Sequence, residues 1–181
     1  MAKKSRKSRK KLILIFLPIL ILMLAGSLPP PPPQEFVTNE TVEIKENVWF
    51  RYEITRYPSS ATIYASSNNL TFGITTESWN LNFGEIPLGK DMAGIKRFVI
   101  ISNPRDDNVY VELKAYGNIS KIVTFSENNF VLKPNETINV EIKSSASNET
   151  IPGIYVGEID VIVKIPKFSF ISKFMPENLK N

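Results

Sequence analysis

The run Gly153-Ile154-Tyr155-Val156-Gly157-Glu158-Ile159-Asp160-Val161-Ile162-Val163-Lys164-Ile165-Pro166 decides how the chain is read. Tyr155, Gly157, Ile159, Val161, Val163 and Ile165 fall on one side, and Glu158, Asp160 and Lys164 on the other. An extended chain points successive side chains to opposite faces, so period two is the mark of a half-buried strand. The simplest reading puts the apolar side in a core and the charged side in water. On that reading Glu158 and Asp160 keep an outer face wet and discourage strand addition. Two carboxylates on one strand face also suggest a hydrolytic pair, the sharper but less supported alternative.

Working outward, the same alternation recurs. Val48, Phe50, Tyr52 and Ile54 alternate with Trp49, Arg51, Glu53 and Thr55; Leu70, Phe72 and Ile74 with Thr71, Gly73 and Thr75. Trp79, Leu81 and Phe83 bracket Asn80 and Asn82, and Val109, Val111, Leu113 and Ala115 form another series. Ile138, Val140 and Ile142 stand against Asn139, Glu141 and Lys143. Between the runs lie turn-forming clusters at 57–60, 66–69, 84–89, 103–108, 116–118, 133–135 and 144–153. Short strands separated by turns about every ten residues predict an all-β, antiparallel sandwich of about seven to nine strands over residues 36–166.

Four stretches then carry a resemblance. They are Leu81-Asn82-Phe83-Gly84-Glu85-Ile86-Pro87-Leu88-Gly89, Ile101-Ser102-Asn103-Pro104, Phe130-Val131-Leu132-Lys133-Pro134-Asn135-Glu136-Thr137 and Ile151-Pro152-Gly153-Ile154-Tyr155-Val156-Gly157. In this order, residues 79–165 resemble the Ig-like surface modules of prokaryotic envelope proteins, the hydin-like and NPCBM-associated types. The resemblance implies an Ig-like β-sandwich and no particular activity, since the fold hosts adhesion, assembly and accessory roles alike. Residue by residue, Gly84 and Gly89 suit turns at positive φ, Pro104 ends a strand by lacking a donor, and Pro134 presets the next turn. Gly157 stands where a large inward side chain would not fit. Residues 36–78 lie outside the resemblance, and supply either further strands of the same sandwich or a small separate sheet.

Charge separates the chain's two ends. Seven of its 22 basic residues, at positions 3, 4, 6, 7, 9, 10 and 11, precede an apolar run; the remainder carries 15 basic and 18 acidic residues. The net charge of +4 therefore belongs to the tail, and no basic face points to nucleic acid. A basic start before an apolar stretch is an export signature, with the basic end kept in the cytoplasm. Residues 1–11 are thus expected as a cytoplasmic tail. Residues 12–28 are expected as a single membrane-spanning anchor, or as a signal sequence cut after Ser27. Seventeen residues of helix reach about 25 Å, just enough to span the hydrocarbon. The five prolines at 29–33 favour retention, because a polyproline stalk over 29–35 makes a stiff spacer of ~15 Å between bilayer and head.

The chain contains no Cys and no His. That removes disulfides, thiol nucleophiles, Ser–His–Asp triads and the usual zinc ligand sets, so neither an enzyme nor a cofactor is expected. Five sequons, at Asn39, Asn69, Asn118, Asn135 and Asn148, are candidate glycosylation sites in the stalk region and the predicted turns. Arg105-Asp106-Asp107-Asn108 offers oxygens to calcium, or is a solvated hairpin tip with local Arg–Asp pairing. The aromatic tail 167–181, with Phe168, Phe170 and Phe174, docks on a partner or a bilayer surface, or folds back over a sheet edge.

Two functional classes remain open. The leading expectation is a non-catalytic, membrane-anchored, extracytoplasmic module of a cell envelope, bound to the bilayer through residues 12–28 and to envelope proteins. The alternative is a secreted or tethered receptor for a carbohydrate or peptide, with Trp49, Trp79 and Tyr57 as a stacking platform.

Overall fold

The structure is a computed structural model and describes residues 30–65, 80–88 and 94–172. The basic tail, the apolar run, the strand expected at Leu70–Ile74, Trp79, Gly89 and the end of the aromatic tail lie outside the described residues. Among the described residues the chain is all-β, with nine strands and one short α-helix. In chain order these are β1 (Thr41–Glu46), β2 (Phe50–Tyr64), β3 (Leu81–Pro87), β4 (Gly94–Ser102), β5 (Val109–Gly117), β6 (Val123–Phe125), β7 (Phe130–Leu132), β8 (Thr137–Ser145), β9 (Gly153–Pro166) and α1 (Ser169–Ser172). A single 3-10 turn, Asn118–Lys121, links β5 to β6.

Two sheets result. The larger runs β1-β2-β9-β5-β7, with β3 also on β2, and the smaller runs β4-β8-β6. Their facing sides bury Ile63, Phe83, Ile86, Val111, Leu113, Val140, Ile142, Ile159 and Val161 in one core. All of these but Ile63 and Ile86 came from an alternating run, and the expected apolar faces of β5, β8 and β9 are the ones that point inward. Residues 36–65 are not a separate sheet: β2 lies inside the large one, joined to β9 by fourteen consecutive residue pairs from Phe50↔Pro166 to Ile63↔Gly153.

Three features of the strands depart from the sequence reading. The cluster Tyr57-Pro58-Ser59-Ser60 is not a turn but the middle of β2. On the edge of β2 away from β9, β1 pairs as far as Arg56 and β3 begins at Ser59. Pro58 falls in the gap between them, where its missing N–H removes no ladder bond on that side. The second departure is that residues 84–87, expected within the 84–89 turn, continue β3 as strand. The third is that β3 runs parallel to β2, so the large sheet is not purely antiparallel. A bulge interrupts that pair between Ser60 and Thr62, opposite the segment holding Gly84 at φ +66°.

Asn103 closes the motif that precedes Pro104. It is buried, and its amide donates to the carbonyls of Asp107, Leu132 and Lys133 at 3.0, 3.1 and 3.0 Å. Its backbone N–H reaches Glu136 O at 2.9 Å, and its carbonyl accepts from Asn135 N at 2.8 Å. One side chain thus fastens the β4–β5 connection to the β7–β8 turn. Gly157 has an equally direct reason: a Cβ there would lie 1.9 Å from Tyr116 O and 2.8 Å from Ile119 Cγ2.

Gly157→Ala is therefore expected to force β5 and β9 apart, which urea unfolding registers as a loss of several kcal/mol or as failure to fold. Asn103→Ala, which leaves buried carbonyls unpaired, is expected to lose about 2–3 kcal/mol. Wild-type midpoints for both variants would refute these assignments.

Candidate functional site

The large sheet has a second face, turned away from the sandwich core. Residues that pair across strands share a face, so Arg56, Asp160 and Lys114 form one row, and Ile54, Ile162 and Glu112 the next. Pro58, Glu158 and Tyr116 form a third. This is the side the alternation assigned to water. The structure corrects that expectation: Glu158 is fully buried and Asp160 retains only 4% of its exposure. The cover is the chain's own segment leading into β1, whose residues 30–37 lie over these rows.

A buried carboxylate needs compensation, and Glu158 has it in full. Arg56 Nε donates to Oε1 at 3.0 Å, and its terminal nitrogen lies 2.9 Å from both carboxylate oxygens. Val37 N–H donates to Oε2 at 2.9 Å. The same Arg56 nitrogen also donates to Glu35 O at 2.7 Å. The pair therefore bonds two central strands to each other and ties the N-terminal segment down on both.

Beside it lies a half-open cleft of about 440 Å³. Prolines 30–33 and Glu35 border one side, Glu43 and Lys45 another, and Ile54, Arg56, Tyr116, Asp160 and Ile162 line the remainder. Described prolines expected in a free stalk thus contact the folded domain. Charges in and around the cleft are mostly paired: Lys45 with Glu43 at 3.1 Å, Arg56 with Glu158 at 2.9 Å, and Lys114 with Glu112 at 2.9 Å. Lys164, further along β9, sits 4.0 Å above the Phe50 ring.

Asp160 is the exception. Its Oδ1 is buried without a hydrogen-bond partner. Burial, and next the Glu158 carboxylate, push its pKa up to about 7, while Arg56 acts in the opposite direction. Tyr116 is pushed up to about 12, first by burial and then by Asp160, Glu112 and Glu158. An acid that is neutral below about pH 7 can donate a hydrogen bond, and the Glu158 carboxylate beside Asp160 favours that protonated form.

The other candidates from the sequence are dispersed. Trp49 packs edge-on against Phe168 at 6.1 Å, and Tyr57 packs against the main core, so these two do not make one exposed platform. Arg105 reaches Glu53 at 2.7 Å instead of pairing within its own loop, and Asp107 accepts from Ser172 at 3.1 Å. Among the described residues no three His, Cys, Asp or Glu side chains are grouped as metal ligands. Phe168 stacks on Phe170 at 5.8 Å as the chain enters α1, and both rings remain about half exposed.

Of the sequons, Asn39, Asn118, Asn135 and Asn148 are exposed, while Asn69 lies outside the described residues. Asn118 is already engaged: its amide donates to Ile154 O at 3.1 Å and accepts from Val156 N at 2.5 Å. Asn135 occupies the turn after Pro134 with φ 58°. No helix among the described residues is long and apolar enough to cross a membrane, and residues 12–28 are not among them. Comparison with protein-family models, curated proteins and solved structures finds no match to the chain.

The ion pair sets a clear expectation. Arg56→Ala strands a buried carboxylate and is expected to lose about 3–5 kcal/mol in urea unfolding, whereas the double change Arg56→Met with Glu158→Leu loses much less. Equal losses would mean that packing, not charge, dominates.

Asp160 adds a pH dependence of known sign. Its folded pKa of about 7 exceeds its ordinary 3.8, so the folded state binds the proton more tightly. Its contribution is complete below 3.8 and is lost as pH rises to about 7. Asp160→Asn is expected to flatten that part of the stability–pH curve. A wild-type curve rising through that window, unchanged in Asp160→Asn, would contradict it.

Proposed function

We propose that the protein is a non-catalytic, membrane-tethered module displayed on the outer side of a cell envelope, with an Ig-like sandwich as its folded head. The observation that carries this reading is the order of the N-terminal sequence: seven basic residues, an apolar run over 12–28, and prolines that lead directly into the domain. The basic residues hold the N-terminus in the cytoplasm, and residues 12–28 are the contact with the bilayer. Residues 30–37 then lie against the sheet, which keeps the head close to its anchor. Its role is that of a structural, adhesive or accessory subunit working with other envelope proteins.

The ionic groups support a non-catalytic role. Most of the acidic side chains on the strands form ion pairs: Glu46 with Lys167, Glu53 with Arg105, Glu112 with Lys114 and Glu141 with Lys96. With neither Cys nor His in the chain, the ordinary nucleophile–base pairs have no members. The receptor alternative draws its support from the cleft beside Asp160 and not from Trp49 and Tyr57. The exposed sequons Asn39, Asn135 and Asn148 are available to a host that glycosylates its surface proteins.

Protease added to intact cells is expected to remove the domain, and carbonate extraction to leave the chain in the membrane with residues 1–11 still attached. A mature N-terminus at Leu28 would make the protein a secreted module. A domain protected until lysis would reverse its orientation.

A further inference from the structure

We propose that the cleft between residues 30–35 and the second face of the large sheet is a binding site for a primary ammonium group, with Asp160 as its anion. This inference holds whichever way the N-terminus is processed. It rests first on the cleft, whose 440 Å³ accommodates a lysine side chain or an amino sugar. It rests second on Asp160, a carboxyl with 4% exposure that lines this cleft while its Oδ1 lacks a hydrogen-bond partner. Native proteins rarely leave such an atom unpaired, because a buried polar group without a partner costs about 1–3 kcal/mol.

The charges around Asp160 define what is missing. On β1, Glu43 and Lys45 pair with each other; on β5, Glu112 and Lys114 do the same, and Tyr116 is neutral. On β2, Arg56 is occupied by Glu158 and Glu35 O, and Tyr52 donates no charge. On β9, Lys164 sits over the Phe50 ring, four residues from Asp160. Tyr110, on β5, is level with Lys164 and also neutral. The N-terminal segment brings Glu35, whose carbonyl is taken by Arg56. Each strand carboxylate here but Asp160 has its own cation, the Glu35 side chain is exposed to solvent, and Asp160, its pKa raised to about 7, is balanced by a proton below that pH.

A cation that replaces that proton has to be compact. Guanidinium binds carboxylates through two parallel bonds, whereas here one oxygen is free, which suits the point charge and rotatable donors of an ammonium. A divalent ion would need more oxygens than this cleft collects. Ile54, Ile162 and the proline rings then line the path for the apolar part of the ligand, either a methylene stem or a sugar ring. Ammonium and proton compete for one carboxylate, so affinity weakens by up to tenfold per pH unit below the pKa of Asp160.

The test uses the full chain in detergent micelles, following the 13C resonance of the Asp160 carboxyl. Probes are Nα-acetyl-lysine N-methylamide and glucosamine, with Nα-acetyl-norleucine N-methylamide and N-acetylglucosamine as their uncharged counterparts. At about pH 7.5, where Asp160 is more than half ionised and both amines still carry their proton in good part, at least one amine is expected to give a saturable shift and neither uncharged probe to do so. A response to the lysine analogue assigns the group to a peptide, and a response to glucosamine assigns it to a glycan. The bound amine must also lower the apparent pKa of Asp160, and Asp160→Asn must lose at least tenfold in affinity. Equal binding of the uncharged probes, no saturable shift with either amine, or an unmoved Asp160 pKa would each overturn the proposal. The last readout needs no variant, so it stands even if Asp160→Asn folds poorly.

Discussion

The ladder between β2 and β9 is the constraint on which the rest of the molecule depends. Fourteen residue pairs place these two strands side by side at the centre of the large sheet, and the middle of that ladder is covered on both faces. One face meets the small sheet through Ile159, Val161, Ala61 and Ile63. The other meets the chain's own N-terminal segment over Glu158, Asp160 and Ile162. Residues 157–162 are consequently buried one after another, although their sequence alternates. A strand covered on two sides must satisfy every polar group it carries, and that requirement generates the Arg56–Glu158 pair.

The pair is also what fixes the N-terminal segment on the large sheet. Hydrophobic contact between the sheets is non-directional and tolerates small shifts in register, whereas a carboxylate held by Arg56 and Val37 N–H has one geometry. Buried ion pairs contribute little net stability against an apolar replacement, yet breaking one is costly. We read this pair as a fastener that specifies where residues 30–37 lie, and the cleft beside it exists only because they lie there. Asp160, two residues along the same strand face, receives no such partner, and its proton takes the place of a cation. Strength of fold and capacity to bind are thus drawn from one face, through two carboxyls with opposite surroundings.

The small sheet has the simpler physics. Its inner residues Val99, Ile101, Val140 and Ile142 are buried, while Phe98 and Ile100 on the other face of β4 are exposed. Arg97, on the inner face, turns its guanidinium to Asn82 O, where β3 passes. Among the described residues nothing comparable to residues 30–37 covers the outer side of this sheet, where Lys96 and Glu141 meet in a bridge 2.8 Å long.

How much of this was legible in the residues follows from the period of a strand. Alternation by itself determined the all-β class, the inward faces of β5, β8 and β9, and the tight position of Gly157, because side-chain direction in an extended chain is local. It could also separate a basic, apolar leader from a nearly balanced body. It could not tell which face of a strand meets water, since that depends on what packs over it. The covering segment, Pro-Pro-Gln-Glu-Phe-Val, has no periodicity to announce where it docks. Tertiary structure alone therefore decided that Glu158 and Asp160 are buried. It also carried β2 straight through Pro58, because the gap between β1 and β3 on that edge is a property of pairing and not of the proline. Asn103 shows the same limit: a polar residue before a proline reads as a strand end, and only the return of the β7–β8 turn supplies the carbonyls that make it a hub.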